Sequence, residues 1–114
     1  MRSVTLDSMP SGRHFGPVRL AETGWERTRG LLGRPRLHDG EGLLIARCRS
    51  VHTMGMSYAI DVVFIDPRGC IVRIVEALRP MRMAVCLRGA SVLELAAGQA
   101  HALGLRTGMQ LAGW

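Results

Sequence analysis

At 114 residues the chain is the size of one domain and too short for two joined by a linker. Its composition, 47% apolar and 21% charged, argues against a disordered, collagenous or low-complexity chain, and a domain of this length closes a core without disulfides or a structural metal. The net charge of +6 rests on arginine alone, with no lysine among the 15 cations; the arginines are scattered without a run of three, which fits a solvated surface better than a nucleic-acid footprint.

Residues 1–16, with Pro10, Gly12 and Gly16 and little periodicity, read as a loosely ordered N-terminal arm, leaving 17–114 as a single domain. A short strand is predicted at Val18–Ala21. Thr23 and Glu26 have the spacing of a capping box, so a short helix starts there and stops by Gly30 or Gly33. Turn chemistry from Gly33 to Gly42 leads into a buried strand at Leu43–Ala46. Ile60–Ile65 and Ile71–Val75 are β-branched runs joined by Asp66-Pro67-Arg68-Gly69, a hairpin in which proline presets one turn dihedral and glycine can take a positive one. Further strands are predicted at Met83–Leu87 and Ser91–Leu95, then a second short helix over Ala96–Leu103 ending at Gly104, and a closing strand at Met109–Ala112. The expected fold is α+β, a single compact β-rich domain with a curled or barrel-like sheet and two short helices.

Cys48, Cys70 and Cys86 are odd in number and lack CxxC spacing, which argues against a disulfide framework. Asp7 and Pro10 interrupt anything like the apolar segment of a secretory signal, and no stretch approaches the roughly 20 apolar residues of a membrane span. The expectation is a cytoplasmic chain with reduced thiols and no membrane partner.

Chemistry concentrates in Cys48-Arg49-Ser50-Val51-His52-Thr53-Met54-Gly55-Met56, followed by Ile60-Asp61. An extended chain puts Cys48, Ser50, His52, Met54 and Met56 on one face, and thiolate, imidazole and thioether suit copper(I) or zinc. Along a straight strand, however, Cys48 and His52 stand roughly 13 Å apart. Only a bend near Gly55 gathers a cluster, His52 with Met54 or Met56, and no metal site is assigned. Asp61 opens the run Val62-Val63-Phe64-Ile65, and a carboxylate entering a buried run needs a partner, whether His52, an arginine or backbone amides. Cys48, His52 and Asp61 also have the residue types of a nucleophilic triad. Arg79-Pro80-Met81-Arg82 and Arg88-Gly89 read as exposed turns or as a cationic lip for an anion.

Five segments, in this order, resemble a bacterial and archaeal family called domain of unknown function 192: Trp25-Glu26-Arg27-Thr28-Arg29-Gly30-Leu31-Leu32-Gly33-Arg34, Gly40-Glu41-Gly42-Leu43-Leu44-Ile45, Val51-His52-Thr53-Met54-Gly55-Met56, Ile60-Asp61-Val62-Val63-Phe64-Ile65-Asp66 and Val92-Leu93-Glu94-Leu95. The resemblance spans residues 17–112 and implies a β-rich domain with short helices and no established activity. It places any site at His52, Met56 and Asp61, with Arg29 and Gly33 beside them. Met109 departs from the pattern, standing where such sequences commonly carry Gly-Asp.

The leading functional reading is a non-catalytic binding module whose polar pocket, edged by His52, Met56 and Asp61 with Arg29, takes a small-molecule or peptide ligand. One alternative is a metal-binding or thiol-dependent enzyme using Cys48 and His52. Another is an arginine-rich nucleic-acid-binding protein, which the scattered arginines disfavour. The sequence names no cofactor and no oligomeric state.

Overall fold

The computed structural model describes residues 2–24, 26 and 36–114. Its centre is the hairpin dictated by two β-branched runs: β5 (Ile60–Ile65) and β6 (Ile71–Leu78) pair antiparallel across the Asp66–Gly69 turn. The Asp66 carboxylate accepts from the amides of Arg68 and Cys70, each at 2.9 Å. Gly69 has φ 89°, and a Cβ there would come within 2.7 Å of the Leu111 carbonyl, so both the turn and the approach of the last strand require glycine.

Before this hairpin lie β1 (Ser3–Met9), β2 (Arg13–Ala21), β3 (Gly42–Ala46) and β4 (Ser50–His52); after it come β7 (Met83–Val85), β8 (Ser91–Ala96), the one-turn helix α1 (Gln99–Ala102) and β9 (Gln110–Ala112). Seven strands form one sheet in the order β6-β5-β8-β3-β2-β1-β9, and β4 and β7 form a separate two-stranded sheet. All pairs are antiparallel except β2 with β3. The large sheet curls until its two edges meet at one end. Cys70 bridges Gln110, the Ile71 amide donates to the Met109 carbonyl, and the Leu111 amide to the Gly69 carbonyl, both at 2.8 Å. The result is a half-barrel.

Alternation divides each central strand between two cores. Leu44, Val63, Ile65, Leu93 and Leu95 face the inside of the curl with Leu6, Phe15, Leu103 and Leu111. Leu43, Ile45, Ile60, Val62, Phe64 and Val92 face outward, where the inner residues of the small sheet, Val51 and Ala84, cover them.

Two expectations are corrected. Residues 3–16 are no loose arm: β1 pairs with both β2 and β9, and Leu6 and Ser8 on it are fully buried. Helix is scarcer than an α+β fold supposes, since α1 is the one helix whose bounds fall among the described residues, and it covers only Gln99–Ala102 of the predicted Ala96–Leu103. The other predicted helix begins as expected, with the Glu26 amide donating to Thr23 Oγ1 and the Thr23 amide to Glu26 Oε1, each at 3.1 Å. Those amides, Thr23 first and then Glu22, hold the Glu26 carboxyl below its usual range. Trp25 and residues 27–35, including Arg29, Gly30, Leu32 and Gly33, lie outside the described residues. No helix among the described residues is long and apolar enough to cross a membrane.

Candidate functional site

Asp61 is fully buried at the start of β5, and its position in the alternation turns it toward the inside of the curl, beside Val63 and α1. Its Oδ1 accepts from the Ala77 amide at 2.8 Å and its Oδ2 from the Ala100 amide at 2.9 Å. Of the partners open to it in the sequence, backbone amides hold it. One bond secures Ala77, whose φ of 51° breaks the β5–β6 register; the other caps α1, whose N-terminal Gly98 brings no side-chain cap. Both carboxylate oxygens of Asp61 are thus engaged by backbone amides.

His52 and Met56 lie on the other side of the sheet from Asp61. In β4 only Val51 points inward, while Ser50 and His52 face solvent, with His52 opposite Met83 of β7. Gly55, at φ 83°, supplies the expected bend. That bend parts the methionines: Met54 is exposed, whereas Met56 packs half-buried against the second core. His52, Met56 and Asp61 are therefore not gathered round one hollow.

Between them Thr53, fully buried, ties this segment to the loop before β7. Its hydroxyl donates to the Arg79 carbonyl at 2.5 Å and accepts from the Arg82 amide at 2.9 Å; its own amide donates to the Arg82 carbonyl at 2.8 Å. These bonds hold Met81 at φ 62°, an uncommon conformation for a residue with a Cβ, and leave its side chain 63% exposed. Thr53→Val keeps the shape and deletes the hydroxyl. It is expected to cost about 1–3 kcal/mol in denaturant unfolding, and a loss below about 0.5 kcal/mol would show that the loop holds itself.

The outer face of the β4–β7 sheet and its rim carry most of the large apolar side chains exposed among the described residues. Met83 and Val85 project from β7, Met81 and Leu87 flank it, and Met54 adjoins β4; Leu87 is 80% exposed and Met83 62%. Residues 47–60 and 77–93 carry Arg47, Arg49, Arg79, Arg82 and Arg88 and no aspartate or glutamate.

Sequence reasoning passed over one residue. Glu94 lies on β8 between Leu43 of β3 and Val62 of β5 and faces the second core, 3% exposed. No hydrogen bond or ion pair joins its carboxyl to a described residue. Desolvation pushes it up to about 7. Toward the surface lies Tyr58, whose phenol is raised by burial and then by the Glu94 charge, against the lowering effect of Arg36. The exposed Arg36 guanidinium stands 5.3 Å from the Tyr58 ring centroid. The signal was present in Val92-Leu93-Glu94-Leu95, an acid inside an apolar run.

Cys48 packs inward against the second core and its thiol donates to the Ser50 carbonyl at 3.0 Å, while His52 faces outward, so the structure does not assemble them into a nucleophile and base. Among the described residues no group of three or more His, Cys, Asp or Glu side chains stands close enough to hold a metal ion. A separate open hollow of about 700 Å³ is lined by Pro10, Ser11, Arg13, Leu103, Arg106 and Met109.

Comparison with known proteins gives a family and a fold. The DUF192 family model, described as "Uncharacterized ACR", matches residues 7–113. No curated protein matches the chain. A crystal structure of a protein of unknown function from Novosphingobium aromaticivorans DSM 12444 superposes with a TM-score of 0.83 at 25% identity, covering 98% of this chain and 84% of that one. A second, described as a "putative transcription regulator" from Sinorhizobium meliloti 1021, has a TM-score of 0.82 at 30% identity, covering 96% of this chain and 91% of that one.

Proposed function

The chain belongs to the DUF192 family, and from that premise we propose that it is a non-catalytic binding module that docks a short acidic, apolar protein segment on the outer face of the β4–β7 sheet, beside His52. One observation carries this reading: of the seven large apolar side chains exposed among the described residues, five (Met54, Met81, Met83, Val85 and Leu87) belong to this one face or its rim. Isolated apolar residues on a surface need no explanation, but a contiguous group does. Methionine, unbranched and polarizable, suits a face that adapts to its partner.

Charge selects among occupants. The arginines of residues 47–60 and 77–93 outnumber the nearest exposed acid, Glu76, and complement an acidic segment. A second copy of the chain would set arginine against arginine. A bilayer is a poorer fit, because none of the described residues on this face is a tryptophan or tyrosine that could anchor at the headgroups. Nucleic acid finds no aromatic stacking platform among the described residues of this face; the regulator label of the Sinorhizobium relative concerns that protein and enters as one arm of the test.

The test is fluorescence anisotropy with synthetic peptides that alternate Leu or Ile with Asp or Glu, beside basic peptides of the same pattern, anionic vesicles and duplex DNA. Acidic apolar peptides are expected to bind, more weakly at high salt. Met83→Asp or Leu87→Asp, both at exposed positions, should weaken binding about tenfold or more. Binding of duplex or vesicles in preference to the acidic peptides, or peptide binding indifferent to both substitutions, would contradict the proposal.

A further inference from the structure

The hollow of about 700 Å³ is built from none of the docking-face elements, and its volume lies within the roughly 300–1,000 Å³ of small-molecule clefts. One wall is the β1–β2 turn with Pro10, Ser11 and Arg13, where the Gly12 amide donates to the Ser8 carbonyl at 2.7 Å. The other is the loop between α1 and β9, residues 103–109. There the Leu105 amide donates to the Ala100 carbonyl at 2.9 Å and the Gly108 amide to the Ile71 carbonyl at 2.8 Å, so both walls are held by the fold itself. Pro10, buried Leu103 and half-buried Met109 give the hollow an apolar surface. Its charge is of one sign: Arg13 and Arg106 line it, and no acid does among the described residues. The acids nearest to the two walls in sequence are occupied elsewhere, Asp7 with His14 and Glu94 in the second core. Arg13 Nη1 donates to the Ala102 carbonyl at 3.1 Å, which fixes that guanidinium at the end of α1 and leaves its other N–H groups for a ligand. Nothing among the described residues engages the Arg106 side chain.

We propose that this hollow binds a small organic anion. Its carboxylate or phosphate head pairs with the guanidinium groups of Arg13 and Arg106, whose forks match such oxyanions, and its compact apolar body lies on Leu103, Met109 and Pro10. A bare inorganic anion would leave the apolar surface in water, and an amine would meet two like charges. A molecule with an acidic head and an apolar body satisfies both parts of the lining. The site uses neither β4 nor β7, so it stands or falls apart from the docking function.

The experiment is isothermal titration calorimetry of the full chain with phenyl phosphate and phenylacetate, with inorganic phosphate, phenethylamine and benzyl alcohol as separate arms. At least one of the two organic acids is expected to bind saturably, about tenfold or more tighter than inorganic phosphate, and more weakly as salt is raised. Whichever acid binds tighter identifies the head group. Arg106→Met, which breaks no described bond, and Arg13→Met should each weaken binding about ten- to a hundredfold. At the exposed rim, Thr107→Glu should weaken it by a similar factor and Thr107→Gln should not. Met83→Asp, on the docking face, should leave it unchanged. If neither acid gives saturable heat, if the amine or the alcohol binds as tightly as the acids, or if both arginine substitutions leave affinity unchanged, the anion site is refuted.

Discussion

Raising the pH from about 4.5 to about 7 is expected to remove on the order of 3 kcal/mol of folding stability from the wild-type chain relative to Glu94→Gln. The sign follows from where the proton sits. Below the unfolded value of 4.5 the carboxyl is neutral in both states. Between 4.5 and about 7 the unfolded chain gives up the proton while the folded chain keeps it, because burial between Leu43 and Val62 denies the ionised Glu94 carboxylate its hydration. The folded state then binds more protons than the unfolded one, and stability falls with rising pH. Above about 7 both states are ionised and the loss is complete. Denaturant unfolding across this range reads the effect directly. Glu94→Leu should be flat in the same window and more stable than wild type at alkaline pH; parallel curves for wild type and Glu94→Gln would mean that the carboxyl is hydrated in the folded state.

Asp61→Ala is expected to be the most damaging single substitution, at about 3–6 kcal/mol, because two buried amides lose a charged acceptor worth about 1.5–3 kcal/mol each. That is a large share of the roughly 5–15 kcal/mol that holds an ordinary domain together. Asp61→Asn keeps one acceptor oxygen and turns an N–H toward the other amide, so about half the loss should remain. Amide hydrogen exchange localises the damage: Ala77 and Ala100 should lose protection together, although 23 positions separate them in sequence. If protection falls at neither, the carboxylate is not what joins the end of β6 to α1.

These two acids show what could be read from residue order. Both interrupt apolar runs, which is enough to say that each is buried and needs an explanation. Residue order does not say which face each occupies, since that depends on register: Asp61 shares its face with Val63 and Glu94 shares its face with Val92, so adjacent strands send the two acids to opposite cores. The cluster expected of His52, Met56 and Asp61 fails for the same reason, not for want of a bend, because Gly55 does turn the chain. The hairpin around Asp66–Gly69 was legible because its turn chemistry is local. Strand β1 was not, because what makes Ser3–Met9 a strand is pairing with β2 and β9, the latter about a hundred residues away. Strand β4 is only three residues long, too short for alternation to register. The arginines of Arg79–Arg82 and Arg88 were visible as a cationic lip, but the methionines among them became a surface only once β4 and β7 paired and turned Val51 and Ala84 inward.

The proposed docking function is tested most directly by chemical-shift mapping of the isotopically labelled chain titrated with an acidic apolar peptide. Amides of Ser50–Met54 and Met81–Leu87 should shift together and saturate at one affinity, with those of Ser11–Arg13 and Arg106–Met109 unmoved. Shifts centred on the hollow lined by Ser11, Arg13 and Arg106, or none along β4 and β7, would contradict it.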